Sequence, residues 1–466
     1  MQTTIEYFGA TKADPDPSHV YLTCNMINSD TTDVDPETGL AVNDPLARFT
    51  ESRDSYIIND ASKYDISIIR FSIIGGDTPL WMPIIRTGAT QNNVNLTAYD
   101  LALTYSQSWN TNLGVVTFTV TPAQTAVIFV PEYQNQAIAP TPITPVTRQD
   151  ISTRYYWIST YQAVVDMFNT ALNTAYQTLY TDFAAAWAAY PGLTDAFPFA
   201  TVADMQAVVQ APQIRFDEAS KYFTIVADSD GFGDRLNTFT PTPYAPGVAG
   251  AQTAPQFRLF FDMNTFGLFS HFKNIFWNMR TSPFASTPEG YVYEILFVNE
   301  VYQNIENWAL SPYSTYVPAA KQKKYWLNKQ DYLSVDFWSP ISSYVFTTTL
   351  LPVKCEYNTP PLDLGRSNVG NAATSSRNDF SPVISDLVVN IEQGAHANNG
   401  FVLYAPAAEY RMISCTSAKS PIQQVDLQVW WQHRLTGQLM PVSMFNGAQF
   451  NIKIMFRRKD WNATKI

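Results

Sequence analysis

Charge is scarce in this chain. Of its 466 residues only 15% are Asp, Glu, Lys or Arg, against about 25% in ordinary soluble domains. A surface that cannot be covered with charge must be covered with Ser, Thr, Asn, Gln and Tyr, or be buried against neighbours. Positive charge is the scarcer sign, and the net charge is −11. The imbalance sits at the front: residues 1–60 hold eleven carboxylates, Asp30, Asp33, Asp35 and Glu37 among them, against Lys12, Arg48 and Arg53. Phosphate neutralisation needs clustered Lys and Arg. The one dense basic group, Arg457-Arg458-Lys459, is too short for that. Direct nucleic-acid binding is not expected on this ground.

Reactive side chains are equally few. The three cysteines, Cys24, Cys355 and Cys415, are odd in number and far apart, so they form neither a disulfide framework nor a metal site and are expected as free thiols. The four histidines, His19, His271, His396 and His433, stand alone, with no HExxH and no spacing from Cys or carboxylates that a metal needs. There is no GxSxG, GxxxxGK[ST] or GxGxxG after a strand. Neither a catalytic residue nor a cofactor is therefore assigned. Asp228-Ser229-Asp230-Gly231-Phe232-Gly233-Asp234 sets carboxylates close enough for a hard cation. It lacks the twelve-residue calcium register and the terminal glutamate, and a Gly-rich turn explains it as well. Paired carboxylates of a glycosidase have their separation set by fold, so spacing does not test them. No basic n-region with an apolar run opens the chain, and no stretch reaches 18 uninterrupted apolar residues. Neither a signal peptide nor a membrane span is read, and the sequon at Asn95-Leu96-Thr97 is expected to stay unmodified.

What is abundant is aromatic and apolar. Aromatic residues make up 14% and apolar residues 46%, with 30 Pro against 19 Gly. That is enough for a large core and for two or three domains. Aromatics are favoured and charges depleted at interface cores, so this mix suits a protein held in an assembly. A secreted β-protein with a polar, glycosylated surface has the same composition.

Most of the chain reads as strand. Tyr64, Ile66 and Ile68 alternate with Asp65 and Ser67, and the apolar parity then passes to Ile69, Phe71 and Ile73, which predicts a bulge. Pro83, inside Trp81–Ile85, marks an edge strand. Shorter strands follow at 101–105, 115–120 and 126–131, and Pro140, Pro142 and Pro145 close the block. From Ile158 to Tyr190 apolar residues recur every three or four positions until Pro191-Gly192, a helix with an uncharged polar face of Gln162, Asp166, Asn169, Asn173 and Gln177. Strands return at 213–226, 257–263 and 291–298. The clearest alternation is terminal: Val425, Leu427, Val429 and Trp431 face one way, as do Phe450, Ile452, Ile454 and Phe456. Each of these strands has one buried face, as in a sandwich of antiparallel sheets. Trp430 interrupts the polar row of the first and is the candidate interface residue, either covered by a loop or awaiting a partner.

The series Tyr410-Arg411-Met412-Ile413, Val425 to Trp430, Thr436 to Pro441 and Ile452 to Phe456 resembles the final strands of penton-like minor capsid proteins of virophages, polinton-like viruses and related eukaryotic DNA viruses. Asn59 to Phe71 resembles that family's early core strand, and Ile214 to Asp217, Tyr222 to Ile225 and Phe260 to Met263 resemble its middle strands. The resemblance covers about a quarter of the chain. It implies a jelly roll, an eight-stranded antiparallel sandwich whose edges are closed by neighbouring copies, and for the penton type a ring of five.

Two arrangements fit this length. In the favoured one, residues 1–150 and 286–466 form the two halves of a single sandwich and residues 151–285, with the helix at 158–190, are an inserted α/β region. In the other, two jelly rolls follow in tandem, as in a double-jelly-roll major capsid protein. The expected function is that of a viral capsid structural protein without enzymatic activity, made in host cytoplasm or nucleus and residing in the virion. Its expected partners are copies of itself and other capsid proteins. The rival reading, motivated by the many Trp and Tyr rings, is a carbohydrate-binding or carbohydrate-cleaving protein such as a host-attachment protein.

Overall fold

A computed structural model describes residues 2–9, 16–29, 46–86, 93–111, 114–132, 154–188, 209–228, 232, 245, 250–251, 256–277, 292–297, 299–303, 323–335, 338–358, 379–388, 401–404, 411–415, 419–434 and 437–460. The carboxylates at positions 30–37, the prolines at 140, 142 and 145, and the Pro191-Gly192 helix stop lie outside them. The first strands are β1 (Gln2–Phe8), β2 (His19–Ile27), β3 (Arg48–Ser52) and β4 (Tyr64–Asp77). A middle block holds β5 (Leu96–Thr111), β6 (Gly114–Ile128), helix α1 (Tyr161–Ala188), β7 (Gln213–Phe216), β8 (Phe223–Asp228), β9 (Gly250–Ala251), β10 (Gln256–Phe261), helix α2 (Met263–Leu268), β11 (Asn274–Phe276), β12 (Tyr293–Ile295), β13 (Asn299–Gln303) and β14 (Lys323–Lys329). The last block holds β15 (Ile341–Thr347), β16 (Glu356–Asn358), β17 (Asp379–Ser381), β18 (Val383–Val388), β19 (Phe401–Tyr404), β20 (Ile413–Ser414), β21 (Gln424–His433), β22 (Leu439–Pro441) and β23 (Ser443–Arg458).

The first and last blocks share two sheets. One runs β1-β2-β23-β4-β19, with β20 also on β4; the other runs β18-β15-β21-β22, with β3 also on β21. Number β2, β3, β4, β15, β18, β19, β21 and β23 one to eight along the chain. The sheets then read 1-8-3-6 and 2-7-4-5, the doubly crossed order of a jelly roll. Every pair is antiparallel. Between the sheets lies an apolar layer in which the Phe71 ring meets Phe346 at 4.9 Å and Phe450 at 5.5 Å. The sandwich is pinned at both sides: Thr3 Oγ1 donates to Glu51 at 3.3 Å, and Arg411 pairs with Asp386. The parity switch in β4 is a bulge. Lys453 lies opposite Arg70 and Ile454 opposite Ile68, which leaves Ile69 over and keeps both Ile68 and Phe71 inward and buried.

The jelly roll is opened between its third and fourth strands, and the middle block is inserted there. It is wider than the expected 151–285. The hairpin β5–β6 pairs with β10 and β9, not with the terminal strands, in a sheet ordered β11-β12-β10-β5-β6; a second sheet runs β13-β14-β8-β7. The boundaries drawn at 150 and 285 therefore do not follow sheet membership. The physical reason is that β5 and β6 bury Leu103, Tyr105, Phe118 and Val120, and their partner is α1: Phe183 lies 5.0 Å from Tyr105 and 5.3 Å from Phe118. Period-two alternation is the same whichever sheet a strand joins. Neither of the block's two sheets repeats the 1-8-3-6 or 2-7-4-5 order, so among the described residues the tandem arrangement is not found. The segment expected as an edge strand around Pro83 makes only single bridges, Trp81 to Ile158 and Ile85 to Thr97, since proline donates nothing to a ladder.

Insert and jelly roll share one core. The amides of Leu80 and Trp81 donate to the Ile158 carbonyl at 2.7 and 3.1 Å, and Ile158 N–H returns a bond to Trp81 at 3.0 Å. Next to this bridge the ring of Trp157 meets Trp431 of β21 edge to face at 5.3 Å.

Candidate assembly surface

The eight apolar positions of the C-terminal strands define which side of each sheet faces out. Val425, Leu427, Val429 and Trp431 in β21, and Phe450, Ile452, Ile454 and Phe456 in β23, are no more than 1% exposed. The residues between them point away from the core. In β21 these are Gln424, Asp426, Gln428, Trp430 and Gln432. Trp430 sits opposite Val345 and Pro441. It is half-buried, not free in solvent, because its indole N–H donates to Thr347 Oγ1 at 2.7 Å on the neighbouring strand. The ring is thus drawn across β15, where Val345 is only 4% exposed although its register puts it on the outward face.

Two carboxylates lie on the same face, and the chain satisfies both. Asp426 accepts from Thr348 Oγ1 at 2.5 Å, from the amide and hydroxyl of Thr349 at 2.8 and 2.7 Å, and from the Leu350 amide at 2.8 Å. Burial alone would raise its pKa, but these donors outweigh burial and hold the carboxyl below its ordinary value. Asp386 pairs with Arg411. Sequence reading placed Asp426 in the polar row and missed its role. The donors lie more than 70 residues away, at 348–350, so no local signal could have shown it.

The outward face of the other sheet is different in kind. Register places Glu6, Lys453, Arg70, Arg457 and Asp65 on it. Lys453 Nζ lies 3.4 Å from Glu6 and 4.9 Å from the Tyr21 ring centre. Tyr21 in turn stacks on His19 at 6.0 Å and meets Phe8 edge-on at 5.4 Å.

The remaining candidates resolve individually. His433 is buried, and burial first and Arg434 second push its pKa down to about 4. His19 is also lowered, by burial and then by Arg457. His271 is exposed with φ 72°, and His396 lies outside the described residues. Asp228 is buried and accepts from the Gln210 amide at 3.1 Å; Asp230 and Asp234 lie outside the described residues. Among the described residues no group of three or more His, Cys, Asp or Glu could hold a metal ion, and no helix is long and apolar enough to cross a membrane. Cys24 and Cys415 are buried, and burial pushes both thiols up to about 11; Cys355 is exposed. In the sequon Asn95 Oδ1 accepts from Tyr155 Oη at 2.8 Å. Thr97 is fully buried with its hydroxyl on the Val127 carbonyl, while Asn95 is half-buried.

Comparison with known proteins gives this geometry a context. The family model of the Sputnik minor capsid protein V18/19 matches residues 20–458. Over 124 residues, 26% of the chain, the sequence is 31% identical to the uncharacterized protein V18 of Sputnik virophage, and covers 66% of that relative's length. A chain of the 3.5 Å cryo-EM structure of Sputnik virophage superposes with a TM-score of 0.65 at 21% identity, over 95% of this chain and 99% of that one. The mavirus penton protein superposes at 0.48 and 12% identity, over 94% and 99%.

Proposed function

Since this chain belongs to the family of the Sputnik minor capsid protein V18/19, and is accordingly a structural protein of a viral capsid that assembles with copies of itself and with other capsid proteins in the virion, we propose that it is a penton-like vertex component that closes into rings of five. The observation that carries this reading is the family match over 20–458 on a single, interrupted jelly roll. A fivefold vertex requires one heterologous contact repeated until it closes on itself. Low charge supports such a contact, as does the half-buried Trp430, whose ring is already fixed by Thr347. Recognition spread over wide surfaces leaves no need for a catalytic centre, and this reading assigns none. Family membership supports the capsid reading over the carbohydrate-active alternative.

Native mass spectrometry of the recombinant protein at micromolar concentration tests the ring. A pentamer is expected, with each contact burying on the order of 1,500 Å² or more and resisting moderate salt because it is largely apolar. Trp430→Ala is expected to weaken assembly by ~2 kcal/mol or more, beyond the ~1 kcal/mol of subunit stability lost with its bond to Thr347. A clean monomer that forms no ring or shell as concentration is raised would refute the reading.

A further inference from the structure

Two copies of a chain with net charge −11 repel each other. A contact between them has to form where neither copy presents net negative charge. The outward face of β18-β15-β21, with β3 and β22 along its far side, is such a place. Both of its carboxylates are already bonded within the chain, Asp426 by the 348–350 turn and Asp386 by Arg411, and Arg48 adds a positive charge. The rest of the face is amide and hydroxyl, crossed by an apolar ridge of Pro441 and Trp430, with the buried Val345 opposite Trp430 on the next strand. Val388, at the edge of this face, is 77% exposed. The other sheet turns five charged side chains outward, Glu6, Asp65, Arg70, Lys453 and Arg457, and covering it would desolvate more charge.

We propose that this neutral face packs against a second copy of the chain, as one side of the contact that builds the ring. The inference rests on the ring reading above and adds which surface makes it. Three physical arguments support it. Desolvating a carboxylate that already accepts several hydrogen bonds is far less costly than desolvating a free one. An indole held by its own N–H bond loses little freedom when a neighbour covers it. Strands of six, seven and ten residues, with β3 and β22 adding five and three, at about 3.4 Å per residue and 4.8 Å apart give roughly 500 Å², a large part of the ~800 Å² per partner of a standard interface.

The test adds two negative charges to one face or to the other. Gln428→Glu with Val388→Asp charges the neutral face; Thr4→Glu with Gln449→Glu charges the outward face of the other sheet, where both residues are exposed. Melting curves establish that each variant folds. Val388→Asp alone, at so exposed a site, serves should the first pair disturb folding. Sedimentation of the full chain is expected to show self-association weakened by at least ~100-fold in the first pair, since like charges juxtaposed in a contact cost several kcal/mol, and little changed in the second. If the first pair assembles like wild type, or only the second dissociates, this surface is wrong and the ring reading stands. If the wild type does not self-associate at all, the ring reading fails and this inference with it.

Discussion

At the scale of single residues, the buried row of β21 and β23 sets the strongest expectation. Val429 and Ile454 are fully buried on facing sheets, so Val429→Asp or Ile454→Asp places an unpaired charge between them. That costs several kcal/mol, on the scale of a domain's whole stability of ~5–15 kcal/mol. Neither variant is expected to fold. Lys453→Ala, one position away and outward, loses only a partly exposed pair with Glu6 and a ring contact; its expected effect is ~0.5 kcal/mol or less. Circular dichroism melts of the three variants separate these outcomes, and an Asp variant that melts like wild type would show the register to be wrong. His433 gives a pH-dependent counterpart. The unfolded chain takes up this proton near 6.5, the folded chain only near 4. The stability that neutral His433 contributes is therefore complete above about pH 6.5 and is lost as pH falls from there through 4, a swing on the order of 3 kcal/mol. Urea midpoints at pH 7.5 and 4.5 should differ less in His433→Gln than in wild type; equal differences would mean that the ring is not held neutral.

At the scale of elements, polar residues complete what apolar periodicity begins. The helix expected at 158–190 is α1 (Tyr161–Ala188), and its apolar stripe buries Val165, Phe168, Leu172, Leu179 and Phe183. Its uncharged polar side includes Asn169, which is half-buried. Asn169 donates to the Ile214 carbonyl at 2.9 Å and accepts from the Ile214 amide at 2.7 Å, so the side chain acts as one residue of a further strand beside β7. Asn169→Leu leaves both backbone groups unpaired, at ~1–3 kcal/mol. Hydrogen exchange at the Ile214 amide should accelerate in that variant while exchange in β21 stays slow at matched stability. Unchanged exchange at Ile214 would show that solvent or another group pairs it. The bulge at Ile69 belongs to this scale too. It was visible in the sequence because a change of apolar parity inside one strand has few other causes.

At the scale of the whole molecule, the decisive feature is the junction between jelly roll and insert. Trp157 and Trp431 are both buried there, edge to face, beside the backbone bridge from Leu80 and Trp81 to Ile158. Trp157→Ala is expected to lower stability by ~3–5 kcal/mol and to uncouple jelly roll and insert. Calorimetry should then resolve two transitions where the wild type shows one. A single transition at a lower temperature would mean that the remaining contacts suffice to keep them coupled.

Sequence alone determined the elements and their faces. The alternation of Val425 to Trp431 and of Phe450 to Phe456 fixed strands with one buried side, and the three-and-four spacing of 161–183 fixed the helix, because each of these is a local property. The penton-like resemblance supplied the jelly-roll topology as an expectation, which the strand order bears out. What only the tertiary structure decided is partnership. That β5 and β6 join the insert, that Asp426 is satisfied by residues 348–350, and that Trp430 lies tethered on a neutral sheet face all depend on which distant segments meet. Sheet pairing between segments far apart in sequence is chosen by the packing of whole faces, and a strand carries the same period-two pattern whichever neighbour it finds.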